Sequence, residues 1–103
     1  MSDPMRVRAL EKEGSTEVKI LMKHDMETGL RKDDAGNVVP PHFIQQVSVR
    51  HNDTEVLAAQ FGTSISKDPF LAFKFKGGAK GDKITVSWID NLGDKRTDET
   101  VIA

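Results

Sequence analysis

Three histidines, His24, His42 and His51, are the side chains of this sequence best suited to general-base or metal chemistry. His24-Asp25 with Glu27 is the densest group of acid, base and ligand atoms, and together with His42 it is the set a small metal- or carboxylate-dependent hydrolase would use. No two histidines have the H-x(3–5)-H spacing that places both on one cation. The spacing therefore predicts no metal site and no cofactor, and puts the histidines in loops or at strand ends in water. No serine lies in a G-x-S-x-G elbow. The acidic pairs Asp33-Asp34 and Asp98-Glu99 adjoin lysines and arginines, where solvated charge is the ordinary role. "GGAKGDK" at 77 to 83 has the glycines of a phosphate loop but neither its GKS/GKT ending nor a following helix, so it reads as a hairpin loop. Cysteine is absent, which removes thiolate catalysis, disulfides and the usual structural zinc sites together. Residue types and spacing thus point to a chain that catalyses nothing.

The elements that carry these residues are strands. No segment keeps apolar residues at i, i+3, i+4 and i+7, whereas period-two alternation recurs. It predicts strands over 6–12, 16–22, 43–51, 55–61, 70–76, 82–90 and 95–102. Val18, Ile20 and Met22 share a face in the second; Phe43, Val47 and Val49 do so in the third. Leu71, Phe73 and Phe75 alternate with lysines, and Ile84, Val86 and Trp88 with Thr85 and Ser87; these two stripes are the expected halves of the core. Turn residues at Glu13-Gly14-Ser15, Asn52-Asp53 and Asn91-Leu92-Gly93-Asp94 separate the runs. Seven short strands with a turn every eight to twelve residues predict an all-β, immunoglobulin-like antiparallel sandwich, with a small closed barrel as the competing arrangement.

At 103 residues the chain is read as one domain, 1–103. Fifteen Lys and Arg against sixteen Asp and Glu give a net charge of -1, with the signs interspersed along the sequence, so no footprint for nucleic acid is expected. Apolar runs reach about four residues, far short of a membrane span. The first residues carry no signal-peptide pattern, which alone suggests the cytosol.

One segment breaks the rhythm. "KHDMETGLRKDDAGNVVPPHFI", residues 23 to 44, runs with charges, glycines and prolines and no period. Loops longer than about 12 to 15 residues in compact domains are usually functional or disordered. Gly29, Gly36 and "DDAGN" provide turns and Pro40-Pro41 stiffens the exit, so this loop reads as built.

This segment resembles the signature of the SoxZ family, the small subunits of SoxYZ sulfur carriers in bacterial thiosulfate oxidation. "RVRA" near the start, "DPFLAFKFKGG" at 68 to 78 and "WIDNLGD" at 88 to 94 extend the resemblance over nearly the whole chain. Asp25 stands where proline commonly follows the histidine, and Asp68 where asparagine is usual. The resemblance implies an immunoglobulin-like sandwich that binds SoxY, whose cysteine on a C-terminal arm carries the sulfur intermediates, with transient contact to other Sox enzymes. It implies a periplasmic location reached by export with a signal-bearing SoxY, and a scaffold role without chemistry. The expected SoxY-docking residues are His24, Met26, Glu27, Gly29, Leu30, Arg31 and Pro40, with Met26 and Leu30 offering apolar contact and Arg31 a cationic clamp. A free-standing ligand-binding or adhesion sandwich is the alternative.

Overall fold

A computed structural model of the chain describes residues 3–103. Strands form where alternation places them: β1 Arg6–Lys12, β2 Ser15–Leu21, β3 Ile44–His51, β4 Thr54–Gln60, β5 Phe70–Lys76, β6 Lys83–Asp90 and β7 Lys95–Val101. All neighbours are antiparallel, in one sheet of order β1-β2-β5 and one of order β4-β3-β6-β7. Two separate sheets make this an immunoglobulin-like sandwich and set the closed barrel aside.

The inward residues of the two central regions fill the space between the sheets. Val18 and Ile20 of β2 face Val49, Ile84 and Val86, all fully buried, and Trp88 is 3% exposed. Burying side chains of this size contributes roughly 1.5–3 kcal/mol each, which makes this the main source of stability. In β3 the register shifts between Ile44 and Gln46, leaving Gln45 and Gln46 both exposed. The bulge reverses the parity of the strand, so Ile44 rather than Phe43 joins Val47 and Val49 in the core. The other expected half of the core is thinner than alternation suggests. Leu71, Phe73 and Phe75 are only partly buried, because β5 is an edge strand.

The two long sides of the sandwich differ. On one, β1 and β7 are joined: the Met5 amide donates to Asp98 Oδ2, and Ala103 exchanges backbone hydrogen bonds with Ala9 and Glu11. On the other, β4 and β5 both end their sheets. The 77–82 loop is a tight structure. Thr16, fully buried, donates its hydroxyl to Gly77 O at 2.8 Å, and a side chain at Gly78 would collide with the Thr16 hydroxyl oxygen. Gly78 serves packing, whereas Gly77 and Gly81, with φ of +99° and +93°, serve the turns; the loop crosses from one sheet to the other, because β5 and β6 do not pair, and is not the expected hairpin.

The molecule is elongated, 53 × 20 × 19 Å, with a radius of gyration of 15.4 Å where about 13 Å is usual for this length. Strands of seven or eight residues span about 25 Å.

Candidate functional site

The segment between β2 and β3 folds back on itself as an irregular two-stranded finger. Near its base Glu27 and His42 exchange both backbone hydrogen bonds, and further out Lys32 faces Val38. At the tip Asp33 Oδ1 accepts from the amides of Ala35 and Asn37 at 3.0 and 2.9 Å, and the Asp33 carbonyl accepts from Gly36. A single aspartate thus organises the turn that "DDAGN" promised. Gly29 has φ +86°, and a Cβ there would sit 3.2 Å from two Pro41 ring atoms, so the two sides of the finger touch where only glycine fits easily.

The base of the finger is latched to the sandwich by the end of β6. Asp90, 2% exposed, places Oδ2 2.7 Å from His42 Nε2 and 3.1 Å from His24 Nε2. Its Oδ1 accepts the amides of Leu92 and Asp94. Burial pushes the Asp90 carboxyl up, but hydrogen bonds from both histidines and both amides outweigh it and hold the pKa below the ordinary value. Asn91 completes the latch: its side-chain amide donates to the Pro41 carbonyl and its side-chain carbonyl accepts the Phe43 amide.

His24 is the hub. Its amide donates to Asp68 Oδ1, its carbonyl accepts from the Asp68 amide, and its Nδ1 accepts from the Met26 amide at 3.0 Å. Its ring meets His42 edge-on at 4.4 Å and Trp88 at 5.2 Å and 86°. Met26 and Asp68, with φ of +54° and +52°, are bent into the left-handed region on either side of this hub. The Asp68 contacts are ones an asparagine would also make. Trp88 Nε1 is buried with no hydrogen-bond partner among the described residues.

Nε2 of His24, Nε2 of His42 and a carboxylate oxygen of Asp90 lie within 4.8 Å of one another, close enough in distance alone to hold a cation. The hydrogen bonds decide against it. Because Nδ1 of His24 accepts a backbone N–H, the ring proton sits on Nε2, occupying the lone pair a metal needs. Histidine ligands almost always have the opposite arrangement, donating through the nitrogen that faces away from the metal. The trio is a proton-bonded latch between finger and sandwich.

The structure revises several expectations. The histidines are partnered rather than solvated: His24 and His42 on Asp90, His51 on Asp82 at 2.7 Å. The His51 hydrogen bond leads the causes that lower the Asp82 pKa. The hydrolase set does not assemble, since His24 and His42 meet on Asp90 and neither hydrogen-bonds to Asp25 or Glu27 through its ring. Asp90 was missed because it is 48 residues or more from either histidine.

Of the seven expected docking residues, His24 and Met26 are turned inward and cannot meet a partner directly. Met26 is 5% exposed, and its sulfur accepts the Ile44 amide. Gly29 packs on Pro41, and Glu27 is occupied by Arg31, whose guanidinium approaches to 2.6 Å. That contact lowers the Glu27 pKa and raises that of Arg31. Leu30, 86% exposed, and Pro40 remain open to a partner, joined by Val38 at 57%, which the sequence did not single out.

Solved structures with this fold include a superoxide reductase in its oxidised state, with a TM-score of 0.67 at 14% identity over 99% of this chain and 89% of that one. A point mutant of the superoxide reductase (neelaredoxin) of Archaeoglobus fulgidus, in its reduced form, gives 0.62 at 17% identity, over 99% and 90%. At such identities the likeness is one of fold alone. No curated protein sequence matches. The family model of the sulphur oxidation protein SoxZ matches residues 5–101, which takes in all seven strands, the finger and the Asp90 latch. The chain belongs to the SoxZ family of sulphur oxidation proteins.

Proposed function

We propose that this chain is the non-catalytic scaffold subunit of a SoxYZ sulfur-carrier heterodimer. It binds SoxY, whose C-terminal cysteine carries the intermediates of thiosulfate oxidation, and it works with that partner in the periplasm after joint export. The observation that carries this reading is the latched finger: a long excursion held at its base by Asp90 and Asn91 presents Leu30 and Val38 to solvent. A side chain of 86% exposure on a stiffened support loses little conformational freedom when a partner covers it. Family membership places the chain in the sulfur oxidation system, and its lack of cysteine leaves the covalent chemistry to another subunit.

The test is co-expression with the SoxY-type chain of the same organism, with an affinity tag on one chain only, followed by thiosulfate, an oxidant and intact-mass spectrometry. The two chains are expected to co-purify, with the sulfur adduct on the cysteine-bearing chain alone. Separation of the chains, or a stoichiometric adduct on this one, overturns the reading. Periplasmic fractionation of the host tests the location.

A further inference from the structure

The charges that look evenly mixed along the sequence are sorted by the sheet. In the three-stranded sheet Thr16, Val18 and Ile20 are fully buried, which fixes the opposite parity of β2 and its register partners as the outward face. That face carries Arg6, Arg8 and Lys12 from β1, Lys19 from β2, and Lys74 and Lys76 from β5. Its strands carry one carboxylate, Glu17, which Lys19 approaches to 3.4 Å, and Glu13 of the β1–β2 turn lies at its margin beside Lys12. The other five cations make no ion pair among the described residues. The four-stranded sheet is more mixed, its outward Arg50, Lys83 and Lys95 accompanied by Glu55 and Glu99.

We infer that the outward face of the three-stranded sheet is a docking surface for a carboxylate-rich face of a protein partner. Strand spacings of about 4.8 Å and a rise of about 3.4 Å per residue confine the six cations to roughly 20 by 10 Å. Such a concentration of one sign, on a chain of net charge -1, is complementary to a locally acidic surface and steers one toward it. Leu10 and Phe70, 52% and 63% exposed, lie among the cations and supply the apolar contacts that a protein interface needs between its charges.

A protein fits better than a nucleic acid for two reasons. The chain as a whole is acidic, with a pI near 6.3, so a long polyanion is repelled outside this patch. The outer edge of β5 also offers backbone hydrogen bonds. Met22 N donates to Pro69 O and Gly77 N to Gly14 O, so the odd-numbered residues of β5 bond to β2 and the amides of Ala72 and Lys74 point to the free edge, where a partner's strand can meet them.

The inference deepens the scaffold reading and rests on it for the partner's identity, SoxY. The decisive variant is the triple reversal Arg8→Glu, Lys74→Glu, Lys76→Glu, with Arg50→Glu on the opposite sheet as control. Calorimetric titration with the SoxY-type chain should show at least about tenfold weaker binding for the triple variant, a flatter salt dependence, and little change for the control. Equal affinity of triple variant and wild type, or equal loss in the control, overturns the inference. So does tighter binding of wild type to a single-stranded DNA oligonucleotide or to phosphatidylglycerol vesicles. If wild type does not bind SoxY at all, the SoxY reading falls and the face is judged on immobilised poly-L-glutamate. Retention of wild type and not of the triple variant then sustains the acidic-partner surface, and equal behaviour of the two removes it.

Discussion

His24 and His42, one just after β2 and one just before β3 on the two sides of the finger's base, share a single oxygen of Asp90, at 3.1 and 2.7 Å. Removing that oxygen disconnects both ends of the finger at once. Asp90→Asn cannot substitute for it. Whichever way the amide is turned, its NH2 group faces donors, either the two imidazoles or the amides of Leu92 and Asp94. Losing one partner of a buried charge-assisted network costs about 3–5 kcal/mol. Urea unfolding followed by Trp88 fluorescence should show a loss of that order, and an unchanged midpoint would rule out the latch.

Acid should act on the same group. The folded-state pKa of Asp90 lies below its ordinary value, so the stabilisation is fully present above the unfolded carboxyl pKa of about 3.9 and is lost as pH falls through the folded value. Wild-type stability should therefore drop steeply below about pH 4. The gap between wild type and Asp90→Asn should narrow over the same range. A gap independent of pH would mean that the Asp90 carboxyl titrates alike in the folded and unfolded chain, and a gap that widens as pH falls would mean that folding raises its pKa.

The proton on His24 Nε2 makes a prediction about metals. Titration with zinc should give no stoichiometric binding at His24, His42 and Asp90 and no rise in thermal midpoint, because a cation would have to displace a proton that the Met26 amide holds in place. One tightly held zinc per chain, lost in His42→Ala, would reverse the tautomer and make the trio a cation site.

Much of the fold was legible because alternation is local: each strand boundary inferred from period two lies within a residue of the one observed. Where the reading slipped, the cause was non-local. The bulge at Gln45 depends on pairing with β6, and the partial exposure of Phe73 depends on which strand ends the sheet. The latch joins His24 to Asp90 across 66 residues, a distance no motif spans. The basic face was hidden for a related reason, since mixed charges in sequence separate once alternate residues point to opposite sides.

Met26 is the sharpest revision. Read as an exposed contact, it would tolerate truncation; buried at 5%, with its backbone at φ +54°, it is a core residue of the finger's root. Met26→Ala should cost about 2–5 kcal/mol, as buried methionines do. Leu30→Ala, at 86% exposure, should stay within about 0.5 kcal/mol. Similar thermal midpoints for the two variants would contradict the burial.

The shaft of the finger carries the last prediction. Leu30 and Val38 are large apolar side chains left 86% and 57% exposed on a support that Asp33 turns and that Asp90 and Asn91 hold. If they dock on SoxY, Leu30→Asp with Val38→Asp puts two carboxylates where the partner offers apolar surface, and each buried unpaired charge opposes binding. The thermal midpoint of the isolated chain should hold, because neither side chain packs in the core. SoxY affinity should fall at least tenfold, equivalent to about 1.4 kcal/mol. Arg31→Ala separates apolar docking from charge. With Arg31 already committed to Glu27, its loss should weaken SoxY binding less than the double substitution does. Unchanged affinity in the Leu30/Val38 variant would falsify docking through the finger's apolar side chains, whereas a larger effect from Arg31 would move the contact from them to the ion pair beside them.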